Sequence, residues 1–221
     1  MPVGLSVAPK TLTEEVLGKL RADLLRCRFE PGARLTLESL KEIYDVGFSP
    51  LREALMRLAA DGLVVREGHK GFRVAPVSKQ DLAQAVGARL ALEEILLRDA
   101  IANGDAMWEA NIISNFHVLS KTPIVQEPTE QLDNWLACHK AFHRSLVAAA
   151  TNDILMDFWL VTFDLTERYR RLTGGNPRDA DTEHAALVDA IINRKTELAC
   201  ELTREHIEKT YELIVSLREE N

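Results

Sequence analysis

Apolar residues recur every three or four positions near the start of the chain. In "KTLTEEVLGKLRADLLRC" (10–27) they place Val16, Leu17, Leu20, Leu24 and Leu25 on one side, the mark of an amphipathic helix. Pro31-Gly32 breaks the pattern. A second, shorter helix is predicted in "TLESLKEIYD", capped by Thr36, with Leu37, Leu40, Ile43 and Tyr44 as its apolar residues. After "VGFSP" a third begins, with Ser49 as N-cap and Pro50 in the first helical position, where its missing N–H costs little. Leu51, Leu55, Leu58 and Ala59 form its buried side, and Gly62 stops it. "LVVREGHKGFRVAPV" then reads as two short strands around an "EGHKG" tip.

"APVSKQD" (75–81) reads as a linker, and the remaining pattern is helical throughout. A long helix starts at a Ser78 cap, and "DAMWEANIISNFHVLS" gives the next. A proline-containing loop leads to "LDNWLACHKAFHRSLVAAATN", ended by Asn152, and to "ILMDFWLVTFDLTERYRRLTGG", ended by Gly174-Gly175. Two further helices complete the chain. The predicted fold is mainly α: an N-terminal winged helix-turn-helix with a small β wing over 1–76, and an all-α antiparallel bundle over 77–221. In the first module a braced third helix can enter the major groove while the wing tip reaches the backbone or minor groove. Arg52, Arg57, Arg66, His69, Lys70 and Arg73 supply donors there.

Charge sharpens the division. The net charge is −7, which by itself argues against nucleic acid. Residues 1–77, however, hold 12 of the 27 basic and 10 of the 34 acidic residues, a balance of +2; the other 15 and 24 give the remainder −9. Two modules with different partners are implied. No apolar run suits a membrane span, the N-terminus lacks a basic, apolar leader pattern, and Cys27, Cys138 and Cys200 are scattered. A cytoplasmic protein without disulfides is expected.

Candidate chemistry lies in "HKAFH", where His139 and His143 share one helical face and can grip one ion. Cys138 points about 100° away and is read as a small hydrophobe. Two further histidines, His184 and His206, follow downstream.

The segment "FEPGARLTLESLKEIYDVGFSPLREALMRLAADGLVVREGHKGFRV" resembles the DNA-binding domain of the GntR family of bacterial transcription regulators. The helical remainder resembles the FCD effector domain of its FadR subfamily, through "ARLALE", "H..FH..L..A..N", "EHAALVDAI" and "A...L..H". The resemblance implies a homodimeric, ligand-responsive repressor or activator, with a repressor the expectation, on a palindromic double-stranded DNA operator. It carries DNA contacts onto Arg34, Ser49, Arg52, Arg57, His69 and Gly71, with Arg52 the candidate for a guanine contact. Glu38 and Phe48 stand where the family usually has arginines, so a different operator is implied.

The resemblance also implies a divalent metal held by His139, His143, His184 and His206, with His139 in place of the family's aspartate. Four imidazoles favour Zn or Ni over hard ions. The implied effector is a small carboxylate or hydroxy acid. Arg89 is its candidate clamp, or else the ion-pair partner of Glu93, four residues on. Arg168 and Tyr169 in "DLTERYRR" are further effector candidates, and "TERYRRL" is similar to regulators of glutarate and 2-hydroxyglutarate breakdown in this subfamily. His117 is read as structural or exposed. The alternative is a metal-dependent hydrolase with Glu183 as base, although no HExxH-type arrangement is present.

Overall fold

The structure, a computed structural model, describes residues 11–68, 71–125, 129–172 and 180–219. It divides into two compact units, Met1–Val77 and Ser78–Asn221.

The first unit runs α1 (Leu12–Leu25), β1 (Arg34–Leu35), α2 (Leu37–Tyr44), α3 (Phe48–Ala60), β2 (Val64–Arg66) and β3 (Phe72–Val74). A capping box opens α1: Thr11 Oγ1 accepts from the Glu14 amide, and the Thr11 amide donates to the Glu14 carboxylate at 2.8 Å. Val16, Leu20 and Leu24 are buried against α3, which contributes Leu51, Ala54, Leu55 and Leu58. Thr36 caps α2 as expected, but only Leu40 of its apolar residues is fully buried, and Ile43 is exposed.

Two departures concern local detail. Helix α3 starts at Phe48 with Gly47 as its N-cap, so Ser49 and Pro50 sit two positions deeper than the sequence suggests. Proline is still tolerated, because none of the first four amides of a helix has an intrahelical acceptor. The wing also has a third strand. β1 pairs antiparallel with β3 (Arg34 opposite Arg73, Leu35 opposite Phe72), giving the order β1-β3-β2. A two-residue strand is too short to show alternation in sequence. Gly62, at φ +73, ends α3 in a Schellman-type turn with the Leu63 amide donating to Leu58.

The second unit is helical throughout its described residues: α4 (Lys79–Asn103), α5 (Ala106–Lys121), α6 (Glu130–Leu146), α7 (Asp153–Leu172), α8 (Asp181–Ile192) and α9 (Thr196–Glu219). Ser78 caps α4 as expected, accepting from the Asp81 amide. Helix α6 ends at Leu146, before the predicted Asn152 stop, and Asn152 instead caps α7 through its side-chain oxygen and the Leu155 amide. Gly174-Gly175 lies outside the described residues. The core joins Leu96, Trp108, Phe142, Trp159, Phe163 and Ile191. α4 packs on α7 and α9, α5 on α6 and α8, and α8 on α9.

Candidate metal centre and nucleic-acid interface

Helix α6 buries Leu132, Trp135, His139, Phe142, His143 and Leu146, one side of a 3.6-residue period. Two histidines thus occupy core positions. From across the bundle α8 adds His184 and α9 adds His206; all four rings are buried, and one nitrogen from each lies within 4.8 Å of the others. His139 Nε2 and His143 Nε2 are 3.1 Å apart. Around a zinc ion with bonds of about 2.0–2.1 Å, tetrahedral ligand nitrogens stand about 3.3 Å apart. His139 and His143 already stand near that spacing, while the wider edges, up to 4.8 Å, would have to close by about 1.5 Å around an ion.

The flanking groups suit that reading. His139 Nδ1 lies 2.6 Å from Glu167 Oε2, and His206 Nδ1 lies 2.9 Å from Glu183 Oε2. A carboxylate on the remote nitrogen fixes the tautomer and turns the other nitrogen toward an ion. His143 Nδ1 faces Glu93 Oε1 at 3.8 Å. Burial, reinforced by the Arg170 cation, holds His139 well below its usual pKa; burial and the neighbouring His139 do the same to His143. Both are neutral at physiological pH, the form that ligates. Trp135 stacks on His139 with centroids 4.8 Å apart.

Arg89 adopts the ion pair that the sequence left as one of two readings. Its Nε donates to Glu93 at 3.2 Å, its Nη1 to Thr166 Oγ1 at 2.9 Å, and its guanidinium lies over Phe163. Trp159 Nε1 also donates to Glu93, at 2.7 Å. Arg89 still lines a small cavity of about 10 Å³ beside His206, with Thr166, Glu167 and Arg170. A larger open pocket of about 400 Å³ is lined by Lys121, Trp135, Arg170, Asp181 and His184.

Arg170 borders both spaces and pairs with Glu167 at 2.6 Å. Neither space is lined by Arg168 or Tyr169. The Tyr169 hydroxyl accepts from the Ser78 amide at 3.1 Å, tying α7 to the start of α4. Sequence reasoning missed Arg170, Glu167 and the contact of Glu93 with His143. Helical phase carried a signal for two of them, since Phe163, Glu167 and Arg170 fall at i, i+4 and i+7.

In the first unit, Phe48, Ser49, Arg52, Glu53, Met56 and Arg57 form the exposed face of α3. Arg34, Arg52 and Gly71 line one open concavity of about 620 Å³, together with Glu38, Met56, Arg66 and Gly68. Arg52 makes no ion pair among the described residues, whereas Arg57 is tied to Glu53 at 2.8 Å on the far flank of the helix. Arg73 is held by Glu67 and the Gly32 carbonyl. Gly71 sits at φ +98, a backbone region that favours glycine. His69 and Lys70 lie outside the described residues.

Comparison with known proteins gives matches along most of the chain. Residues 12–74 match the model of the "Bacterial regulatory proteins, gntR family", and residues 84–209 match the FCD domain. The chain is 36% identical over 210 residues to the HTH-type transcriptional regulator BphR of Paraburkholderia xenovorans, covering 93% of this chain and 86% of that protein. It is 36% identical over 195 residues to the HTH-type transcriptional repressor GlaR of Escherichia coli, covering 85% and 89%. Among solved structures, E. coli McbR/YncC superposes with a TM-score of 0.80 at 19% identity, covering 94% of this chain and 99% of the other. The likeness to McbR/YncC is one of fold. No described helix is long and apolar enough to cross a membrane.

Proposed function

Because the chain belongs to the gntR family of bacterial regulatory proteins and carries an FCD domain, we propose that it is a metal-dependent, effector-controlled repressor. The DNA-binding transcription regulator is what its relatives are, several of them named repressors, and the hydrolase alternative finds no support among them. The observation that carries the finer reading is the convergence of four buried histidines backed by carboxylates. Buried imidazoles, two of them oriented by Glu167 and Glu183, make a site for Zn or Ni.

Held by four imidazoles, a divalent ion that expands to five or six ligands would supply a positive centre and the open positions that attract a carboxylate or hydroxy acid. Arg170 borders both spaces beside the histidines and is the proposed clamp for such an anion; Arg89, held by Glu93 and Thr166 at the inner space, would join it only where that ion pair opens. Arg170 joins Arg168 and Tyr169 as a proposed effector residue, and of the three it is the one that borders these two spaces. Arg34, Ser49, Arg52, Arg57, His69 and Gly71 remain the proposed DNA contacts, with Arg57 a backbone rather than a base contact because Glu53 holds it aside. The protein acts in the cytoplasm as a homodimer on a palindromic operator, which a two-fold reader requires. Effector binding shifts the population of DNA-binding arrangements.

The test is fluorescence anisotropy on a duplex selected from a random library by the full chain. Arg52→Ala should weaken binding at least about tenfold, the value of one bidentate guanine contact, and leave metal content unchanged. Small hydroxy acids and dicarboxylates should release the wild type from DNA only when metal is present. Undiminished binding by Arg52→Ala would sink the assignment of α3, and release that ignores metal would sink the role of the histidines.

A further inference from the structure

Phe48 is the first residue of α3 and is 46% exposed. The core of its unit closes without it, over Leu51, Leu55 and Leu58. On the helix surface Phe48, Arg52 and Met56 stand at i, i+4 and i+8, one ridge with a cation at its centre and an exposed apolar group on either side. The Lys41 ammonium, from α2, sits 5.3 Å from the Phe48 ring centroid, so a second cation is parked on the ring. Arg34, Arg52 and Arg66 line the concavity next to this ridge.

Single exposed apolar residues are ordinary. This one stands at the leading end of the helix, with Lys41 beside its ring and Arg52 one turn on. A protein partner would call for a wider contiguous apolar surface than two side chains parted by Arg52. The major groove of duplex DNA offers what the ridge lacks: phosphates for the cations, base edges for Arg52, and the C5 methyl of thymine as the apolar group on display.

We propose that Phe48 is a specificity-determining residue that packs on a thymine methyl in the operator, beside the guanine paired with Arg52. The ring keeps Lys41 close by, ready to meet an adjacent phosphate. The inference rests on the reading of α3 as the helix that enters the major groove.

The experiment starts from duplexes that the full-length wild type selects from a random library. Each thymine is then replaced singly by 2′-deoxyuridine, which removes the methyl and nothing else. Affinities of wild type, Phe48→Ala and Phe48→Leu are read by fluorescence anisotropy. For the wild type, uridine at one defined position should weaken binding about fourfold, the factor for burying one methyl-sized group. Phe48→Ala should bind the thymine and uridine duplexes equally, and Phe48→Leu should keep part of the discrimination. A wild type indifferent to every methyl overturns the proposal, whether or not Phe48→Ala folds. So does a Phe48→Ala protein that discriminates as the wild type does. A library that yields no enriched sequence sinks the recognition helix as well, whereas enrichment without methyl dependence sinks only the role of Phe48.

Discussion

Replacing Glu93 by Gln tests the polar core beside the histidines. Glu93 is 1% exposed and Arg89 3% exposed, so their pair is desolvated on both sides. The Glu93 carboxylate accepts from Arg89 at 3.2 Å and from Trp159 at 2.7 Å, and Arg89 spends a second donor on Thr166. Glutamine keeps the shape and can still accept from Trp159, but it leaves the Arg89 cation buried without its counter-charge. Breaking one partner of a buried pair costs about 3–5 kcal/mol. The retained acceptor places Glu93→Gln near the lower end, about 3 kcal/mol. In a chain of this size that lowers Tm by about 6–12 °C. All three tryptophans, Trp108, Trp135 and Trp159, lie in the helical unit, so a fluorescence melt of metal-free protein reports that unit alone. Arg89→Met combined with Glu93→Gln should recover most of the loss, since no buried charge is then left without a partner. A single variant that melts within about 2 °C of wild type, well short of the expected loss, or a double variant less stable than Glu93→Gln, would refute the reasoning.

Two other predictions concern stability. The Tyr44 hydroxyl donates to Asp23 at 2.7 Å, and burial together with that contact raises its pKa above the usual value. A raised folded-state pKa means that the protonated hydroxyl stabilises fully below pH about 10 and loses its effect as pH rises beyond. Tyr44→Phe should therefore cost about 1 kcal/mol at pH 7 by calorimetry, with the gap to wild type closing in alkali; a constant gap would contradict it. At Gly104, an added Cβ would lie 1.9 Å from Trp108 Cε3. Gly104→Ala should cost about 1–3 kcal/mol and shift tryptophan emission to the red, and an unshifted, equally stable variant would count against that packing.

The architecture was legible because its signals are local. Period and caps announced α1, α2, α3 and α4, with Thr36 and Ser78 capping as read. The losses came where tertiary pairing decides. Strand β1 exists only because β3 lies beside it. Helix α6 stops at Leu146 although "VAAA" has the propensity to continue, since Asn152 is used to start α7. His139 and His143 were visible as a pair, but His184 and His206 joined them only through the family pattern, being 41 and 63 positions downstream of His143. Glu93 and Glu167 meet the histidines across helix contacts that no spacing in the sequence encodes. Arg168, Tyr169 and Arg170 are consecutive, and only the helical phase of α7, which puts Arg170 on the side of Phe163 and Glu167, separates them.

We propose that His139, His143, His184 and His206 together hold one metal ion. It is tested most directly by elemental mass spectrometry on wild type and His143→Ala, purified without chelator or nickel resin. The account predicts about one equivalent of zinc or nickel per chain in the wild type and almost none in the variant, with a native helical spectrum in both. Wild-type protein that stays metal-free after exposure to excess Zn and Ni, or a His143→Ala variant that retains a full equivalent, would contradict it.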